Sequence, residues 1–382
     1  MANSNLTIDR AILRQVRIPM REPFRISNGI VRDKESIVIE LYSGDRVGYG
    51  EASPMSGSFY SSETPESTWH ALANDLVPDL LPRTIPNPVE YAELLDSYVR
   101  EPFARAGMEC AVWDLFATSL ETTIRELLGA PMGDIASGLA VGIYDSIEEL
   151  LERIAFYLQD GYRRVKIKIA PGWDLDPLRA VRDRFGNIPL MVDANGAYRF
   201  SEHAELLRLL DTFDLIMIEQ PLAADALADL AELARSMKTP ICLDESADSL
   251  SALEEIIRLQ PPPNPRLEKA GGFIINIKVQ RVGGLWNAKK MHDRACEAGL
   301  RCWLGTMPEL GIASAQALAI ATLPGFVYPT DIEASSRWFK DDIIDPPIAI
   351  SREGFIVYPE RGYRMNREKL MHYTIEQREF QK

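Results

Sequence analysis

Through residues 8–53 apolar and polar positions largely alternate, the spacing of half-buried strands. Residues 8–18 form one such run, 35–42 (ESIVIELY) a second, Gly44-Asp45 a turn and 47–51 a short return strand. Between the first two runs lies the polar stretch 21–32, REPFRISNGIVR, with its Pro, Asn and Gly. It reads either as a long hairpin connection or as a mobile loop. Apolar residues then recur every three or four positions, which predicts helices over 65–81, 87–98 and 103–127. The pattern changes near 130–137. From Gly138 onward, short apolar runs alternate with helical stretches, the signature of βα units around a parallel sheet. Expected strands fall at 139–143, 165–169, 189–193, 215–219, 241–244, 273–278, 300–304 and 326–328. A proline-rich run, Pro261-Pro262-Pro263-Asn264-Pro265, interrupts the order as an insertion. The change of pattern divides the chain into a β-then-α segment over 1–130 and a β/α barrel over 131–334, followed by the remaining 335–382.

Four of these runs carry charge at or near their C-terminal ends: Lys166 and Lys168, then Asp193, Glu219 and Asp244. The steps from 168 to 193, 193 to 219 and 219 to 244 are 25, 26 and 25 residues. One strand, one helix and two short loops fill such a step, so the charges occupy equivalent places in successive units. In a parallel barrel those ends gather at one mouth, where active sites sit. Three carboxylates with no His or Cys at equivalent places suit a hard Mg²⁺ rather than Zn²⁺. Without a cation they would repel one another. A single acid at a strand end would simply be solvated; three in register point to a metal site. Lys168 and Lys278 stand on strands at opposite sides of that triplet. The residues alone leave two readings of them. Either they are bases, tuned by the positive charge of Lys166 and the metal, or they form salt bridges to the acids.

Composition narrows the partners. The chain has 382 residues, enough for a barrel plus a second domain. A net charge of −14 argues against nucleic acid or an anionic membrane surface. Cys110, Cys242, Cys296 and Cys302 have no framework spacing, which suits reduced thiols. No apolar signal core or membrane-length run is visible, so a cytoplasmic protein acting on a small molecule is expected.

A set of motifs spread along the chain carries a resemblance. They are Pro23-Phe24-Arg25, Tyr49-Gly50-Glu51, Tyr60-Ser61-Ser62-Glu63, the stretch from Ala106 to Asp114, Lys166-x-Lys168, Asp193-Ala194-Asn195, Glu219-Gln220-Pro221, Asp244-Glu245-Ser246, Asn276-Ile277-Lys278, Arg281-Val282-Gly283-Gly284 and the stretch from Asp331 to Arg337. Together they resemble the enolase superfamily, in its muconate-lactonizing subgroup, and most of all o-succinylbenzoate synthases and N-acylamino acid racemases. That resemblance implies an α/β fold, a modified (β/α)7β TIM-type barrel under an α+β cap. It implies Mg²⁺ (or Mn²⁺) on Asp193, Glu219 and Asp244, and removal of a proton alpha to a carboxylate through an enediolate. Lys168 and Lys278 would be the catalytic pair, with Lys166 and Asn195 assisting. The product would be o-succinylbenzoate, for menaquinone synthesis, or a racemised N-acylamino acid. A cycloisomerase or epimerase with another carboxylate substrate is the alternative, and a homo-oligomer is expected.

Substrate contacts are expected from Phe24 and Tyr60, on segments that close over the mouth, although either residue would also fit the core of the cap. Arg281 resembles an arginine of racemase-capable relatives, or makes a loop salt bridge. Thr306, Met307 and Glu309 stand where relatives read Gly-Gly-Met-x-Glu, and Thr306 and Leu310 depart from that pattern. The His base of the mandelate-racemase branch has no counterpart at a strand end: His70, His203, His292 and His372 fall on helices or in the tail. Two other classes compete. A Schiff-base aldolase needs a lysine but no acid triplet, and a non-catalytic barrel binds a carboxylate without exchanging its α-proton.

Overall fold

In the computed structural model, which describes residues 5–27, 29–57, 60–81, 83–261, 271–359 and 362–382, the alternating N-terminal segment forms an antiparallel sheet. Arg10–Ile26 and Gly29–Ser43 pair as a long hairpin, and Arg46–Ala52 extends it. Thr374–Gln381 returns from the far end of the chain to pair with Arg10–Ile26. The stretch 21–32 is therefore mostly strand, not loop. Its pairing shifts register after Pro19 and resumes at Phe24 opposite Val31. Alternation underlies this: Phe24 and Ile26 are buried while Arg21 and Pro23 are exposed. Asn28, residues 58–59 and the insertion at 262–265 lie outside the described residues.

Helix Pro102–Ser119 crosses this sheet at backbone distance, and glycines make the approach feasible. A Cβ on Gly50 would lie 2.1 Å from the Gly107 carbonyl oxygen and 2.7 Å from the Ala111 nitrogen. The single helix expected over 103–127 ends at Ser119 instead. Glu121 takes φ +54°, and Thr123 then caps the short helix Ile124–Leu127.

Among the described residues seven parallel strands follow in chain order: Leu139–Val141, Val165–Lys168, Leu190–Asp193, Ile218–Glu219, Ile241–Leu243, Phe273–Ile277 and Arg301–Leu304. Ile167, Val192, Leu243, Ile275 and Leu304 belong to the main core under the helices. Met191, Met217, Cys242, Ile274 and Trp303 form a separate apolar cluster inside the barrel. Two residues on, with the same facing, come Asp193, Glu219, Asp244, Asn276 and Gly305. An apolar floor thus supports a polar layer at the mouth. The expected eighth strand at 326–328 is replaced by irregular chain. Pro324 and Pro329 supply no N–H to a ladder, and among the described residues isolated bridges, Cys302 to Phe326 and Ser137 to Thr330, stand in its place between the two edges of the curled sheet. No helix among the described residues is long and apolar enough to cross a membrane.

Cap and barrel meet at Glu109. Its Oε1 accepts Trp113 Nε1 at 2.9 Å and the backbone N–H of Trp286 at 2.7 Å. Gly284, at φ +126°, leaves room for it: a Cβ there would stand 1.7 Å from Glu109 Oε2. Two outcomes follow from these contacts. Gly50→Ala should lower the unfolding free energy by about 2–3 kcal/mol in urea titration, whereas Gly133→Ala, with its nearest neighbour 3.5 Å away, should stay within about 0.5 kcal/mol. Burial lifts the Glu109 carboxyl to about 7. Between its ordinary value near 4.5 and about 7, the native protein keeps a proton the unfolded chain releases, so this group's contribution falls as pH rises. Glu109→Gln should flatten the decline in stability across that window by up to roughly 3 kcal/mol, measured by urea titration at several pH values.

Candidate active site

The parallel register brings the strand-end charges together. Lys168 is level with Asp193, and Asp193 with Glu219. Glu219 is level with Cys242, so Asp244 stands two residues higher on the same face. The three strands bearing the acids separate the strand of Lys168 from the one that ends just before Lys278. Both lysines line one pocket with Lys166, Asn195, Phe24 and Tyr60. Its remaining wall includes Ile26, Met55, Ala140, Thr306, Met307 and Trp338.

Every buried charge here is answered. Lys168 Nζ donates to Asp193 Oδ2 at 2.5 Å and to Asn195 Oδ1 at 2.9 Å. Lys166 Nζ donates to Glu219 Oε2 at 3.1 Å and to Asp331 Oδ2. Lys278 Nζ donates to Asp244 Oδ2 at 2.9 Å and to the Tyr60 hydroxyl at 3.2 Å. Arg281 donates to Asp244 Oδ1 and lies 3.3 Å from the Tyr60 hydroxyl. It is a buried ion-pair partner, not a surface one. Asn276 Nδ2 bridges Glu219 Oε1 at 2.8 Å and Asp244 Oδ1 at 2.9 Å. Gly305 makes space for that amide, since a Cβ would lie 2.1 Å from Asn276 Oδ1.

These contacts split the acids electrostatically. Burial, then the negative charge of Asp193, lifts the Glu219 carboxyl to about 8. Burial also acts on Asp193, but the ammonium groups of Lys168 and Lys166 hold it below its usual range. Asp244 overcomes burial through Arg281 and Lys278 and sits well below that range. Burial opposes charge on Lys278, yet Asp244 raises it well above the ordinary lysine value. Glu245 is pushed up to about 7 by burial and then by Asp244.

The donor chemistry fits a hard divalent cation: carboxylate oxygens on three adjacent strands, with the buried Asn276 Oδ1 and Glu245 Oε2 lacking hydrogen-bond partners. Among the described residues no three acidic, histidine or cysteine groups already form a cage, because the acids are turned onto the lysines and Arg281. Glu309 lies away from the pocket. Burial, then the negative charge of Glu51, lifts its carboxyl to about 7, with Lys34 acting against them. Thr306 and Met307 do reach the wall. The lining residues Asp331, Trp338, Met55 and Ala140, along with the amide of Asn276, are not predicted as site residues from the sequence. Asp331 and Asn276 stand there only inside motifs, without a spacing signal of their own.

Comparison with known proteins places these residues in context. Residues 8–129 match the mandelate racemase / muconate lactonizing enzyme N-terminal domain, and 149–368 match the enolase C-terminal domain-like family. The chain is 41% identical to an o-succinylbenzoate synthase of Geobacillus kaustophilus over 97% of its own length and 96% of the relative. It is 39% identical to an N-succinylamino acid racemase of Amycolatopsis over 87% and 88%. An enolase superfamily structure from Listeria innocua superposes with a TM-score of 0.89 at 33% identity, covering 98% of this chain and 99% of the other.

Proposed function

The chain belongs to the enolase superfamily, in the family of mandelate racemases and muconate-lactonizing enzymes, and from that premise we propose that it removes a proton alpha to a carboxylate. The observation that carries the proposal is the placing of Lys168 and Lys278 on two sides of one pocket, with the acid layer between their strands. Enolase superfamily enzymes generally use Mg²⁺, and here Asp193, Glu219 and Asp244 would hold it. Held by these acids, such a cation would supply positive charge to stabilise the carboxylate of a substrate that loses its α-proton. In this reading residues 1–130 cap the barrel at 131–334, and 335–382 return to the cap.

The reaction we favour is dehydration of a cyclohexadiene carboxylate to o-succinylbenzoate, supported by the relative at 41% identity. Lys168 takes the α-proton and returns it to the departing hydroxyl on the same face. Lys278, kept cationic by Asp244, faces the developing negative charge. Asn195 accepts from Lys168 and orients it, and Lys166 is oriented by Glu219 and Asp331. Racemisation of an N-succinylamino acid is the second reading, favoured by the presence of a lysine on each side and by the relative at 39% identity. There, one lysine would take the proton and the other would deliver one to the opposite face.

Asp193→Asn, Glu219→Gln and Asp244→Asn should each lower kcat by about a thousandfold or more while the circular dichroism spectrum stays native. Chelation should abolish activity and Mg²⁺ restore it; full turnover in excess chelator would exclude this role for the acids. In D₂O, Lys168→Ala should stop α-exchange of one N-succinylamino acid enantiomer and Lys278→Ala that of the other, read by proton NMR. Dehydration without exchange of either enantiomer would leave the synthase alone.

A further inference from the structure

The stretch from Asp331 to Trp338 touches three parts of the pocket wall. Asp331 accepts from Lys166 Nζ, and from Arg164 Nη2 at 2.7 Å. Glu333 accepts the backbone N–H of Ala140, and Arg337 Nη2 donates to the Ala140 carbonyl at 3.1 Å. Trp338 meets the Phe24 ring edge-on, with centroids 5.0 Å apart. Arg337 then reaches the hairpin arm itself: Nη1 lies 2.9 Å from Glu22 Oε1. That same oxygen accepts the hydroxyls of Tyr157 at 3.1 Å and Tyr144 at 3.2 Å. Arg153 stands 3.6 Å from the other oxygen.

The side chain of Arg337 is 1% exposed and that of Glu22 16%. A buried pair of this kind adds little net stability but strongly restricts geometry, because separating it strands a charge. Alternation places Glu22, Phe24 and Ile26 on one face of the arm, so the hold on Glu22 before Phe24, together with the Ile143 N–H that donates to the Arg25 carbonyl after it at 2.9 Å, sets the height of Phe24 above the pocket. The Phe24 ring lies 6.0 Å from Lys168 Nζ. The space beneath amounts to about 40 Å³, room for about one water. A substrate of the proposed class is larger than this space, so the wall must yield to admit it, and an arm that lifts must settle again at a defined height.

Resting on the reading of the site given above, we propose that Glu22 and Arg337 are positioning residues. Their ion pair is a latch that brings Phe24 and Ile26 down on the part of the substrate distant from its carboxylate, and so sets how tightly that part is held. The latch acts on binding and leaves the two lysines in place.

Glu22→Ala, Glu22→Gln, Arg337→Met and the Glu22→Ala/Arg337→Met pair test this in two ways. In ligand-free protein, hydrogen–deuterium exchange over 20–27 and 29–31 should quicken about tenfold in both Ala and Met variants, while Val165–Lys168 and Leu190–Asp193 exchange as in wild type. With Mg²⁺ and either substrate class, KM should rise about tenfold and kcat change less than about threefold. The double variant should match the more affected single variant, since the ion pair the two residues share is already broken in each. Glu22→Gln keeps an acceptor for the tyrosines and should fall between, which carries the test if Arg337→Met does not fold. Unchanged arm exchange in every variant, or a loosened arm with wild-type KM, would overturn the latch. Absence of turnover by the wild type would overturn the reading of the site instead, and arm exchange would still decide the latch.

Discussion

The constraint on which the rest of the structure depends is the cost of burying charge at the mouth of the barrel. Lys166, Lys168 and Lys278 are each 6% exposed or less, and so are Asp193, Glu219 and Asp244. An isolated charge so placed would cost several kcal/mol, so each must have a partner, drawn from another strand or from the segments that follow the strands. Parallel register supplies them, with Lys168 level with Asp193 and Asp193 level with Glu219. The apolar floor of Met191, Met217, Cys242, Ile274 and Trp303 keeps water away from below, which strengthens every interaction in the layer above. The same layer is therefore a structural necessity and a prepared electrostatic environment.

The cap serves this layer through two kinds of contact. One is rigid. Glu51, on a cap strand, accepts the backbone N–H groups of Leu310 and Ala313 at 3.0 Å each, at the start of the barrel helix Gly311–Ala317. Glu109 and Gly284 lock a second point by close approach. The other contact is the hairpin arm, which extends past this rigid joint and ends over the pocket, held by side-chain charges, a ring contact and one backbone bond, from Ile143 N–H to the Arg25 carbonyl at 2.9 Å. A firm joint with a separately held arm allows one strand pair to open without disturbing the acids.

Much of this was legible in the residue order. The 25- and 26-residue steps between Lys168, Asp193, Glu219 and Asp244 place charges on successive strands whatever the details of packing, because a βα unit has a nearly constant length. Alternation of period two separates the floor from the outward core, and helical periodicity marks the cap helices. What failed was local where the chain obeys no single period. The stretch 21–32 looked like loop because its polar residues face solvent and the clamp on Glu22, yet its backbone is strand. Phe326-Val327-Tyr328 looked like strand, but flanking prolines leave isolated bridges.

Sequence by itself therefore determined the fold class and the identity of the charged layer, since these follow from repeats along the chain. Tertiary structure alone decided who pairs with whom. Asp331 answers Lys166 from 165 residues away, Arg281 is drawn onto Asp244, and Glu309 turns toward the cap and not the pocket. Such pairings arise when a curved sheet brings the ends of distant strands within hydrogen-bond range. Their cost or gain depends on burial that no run of residues reveals until the barrel has closed.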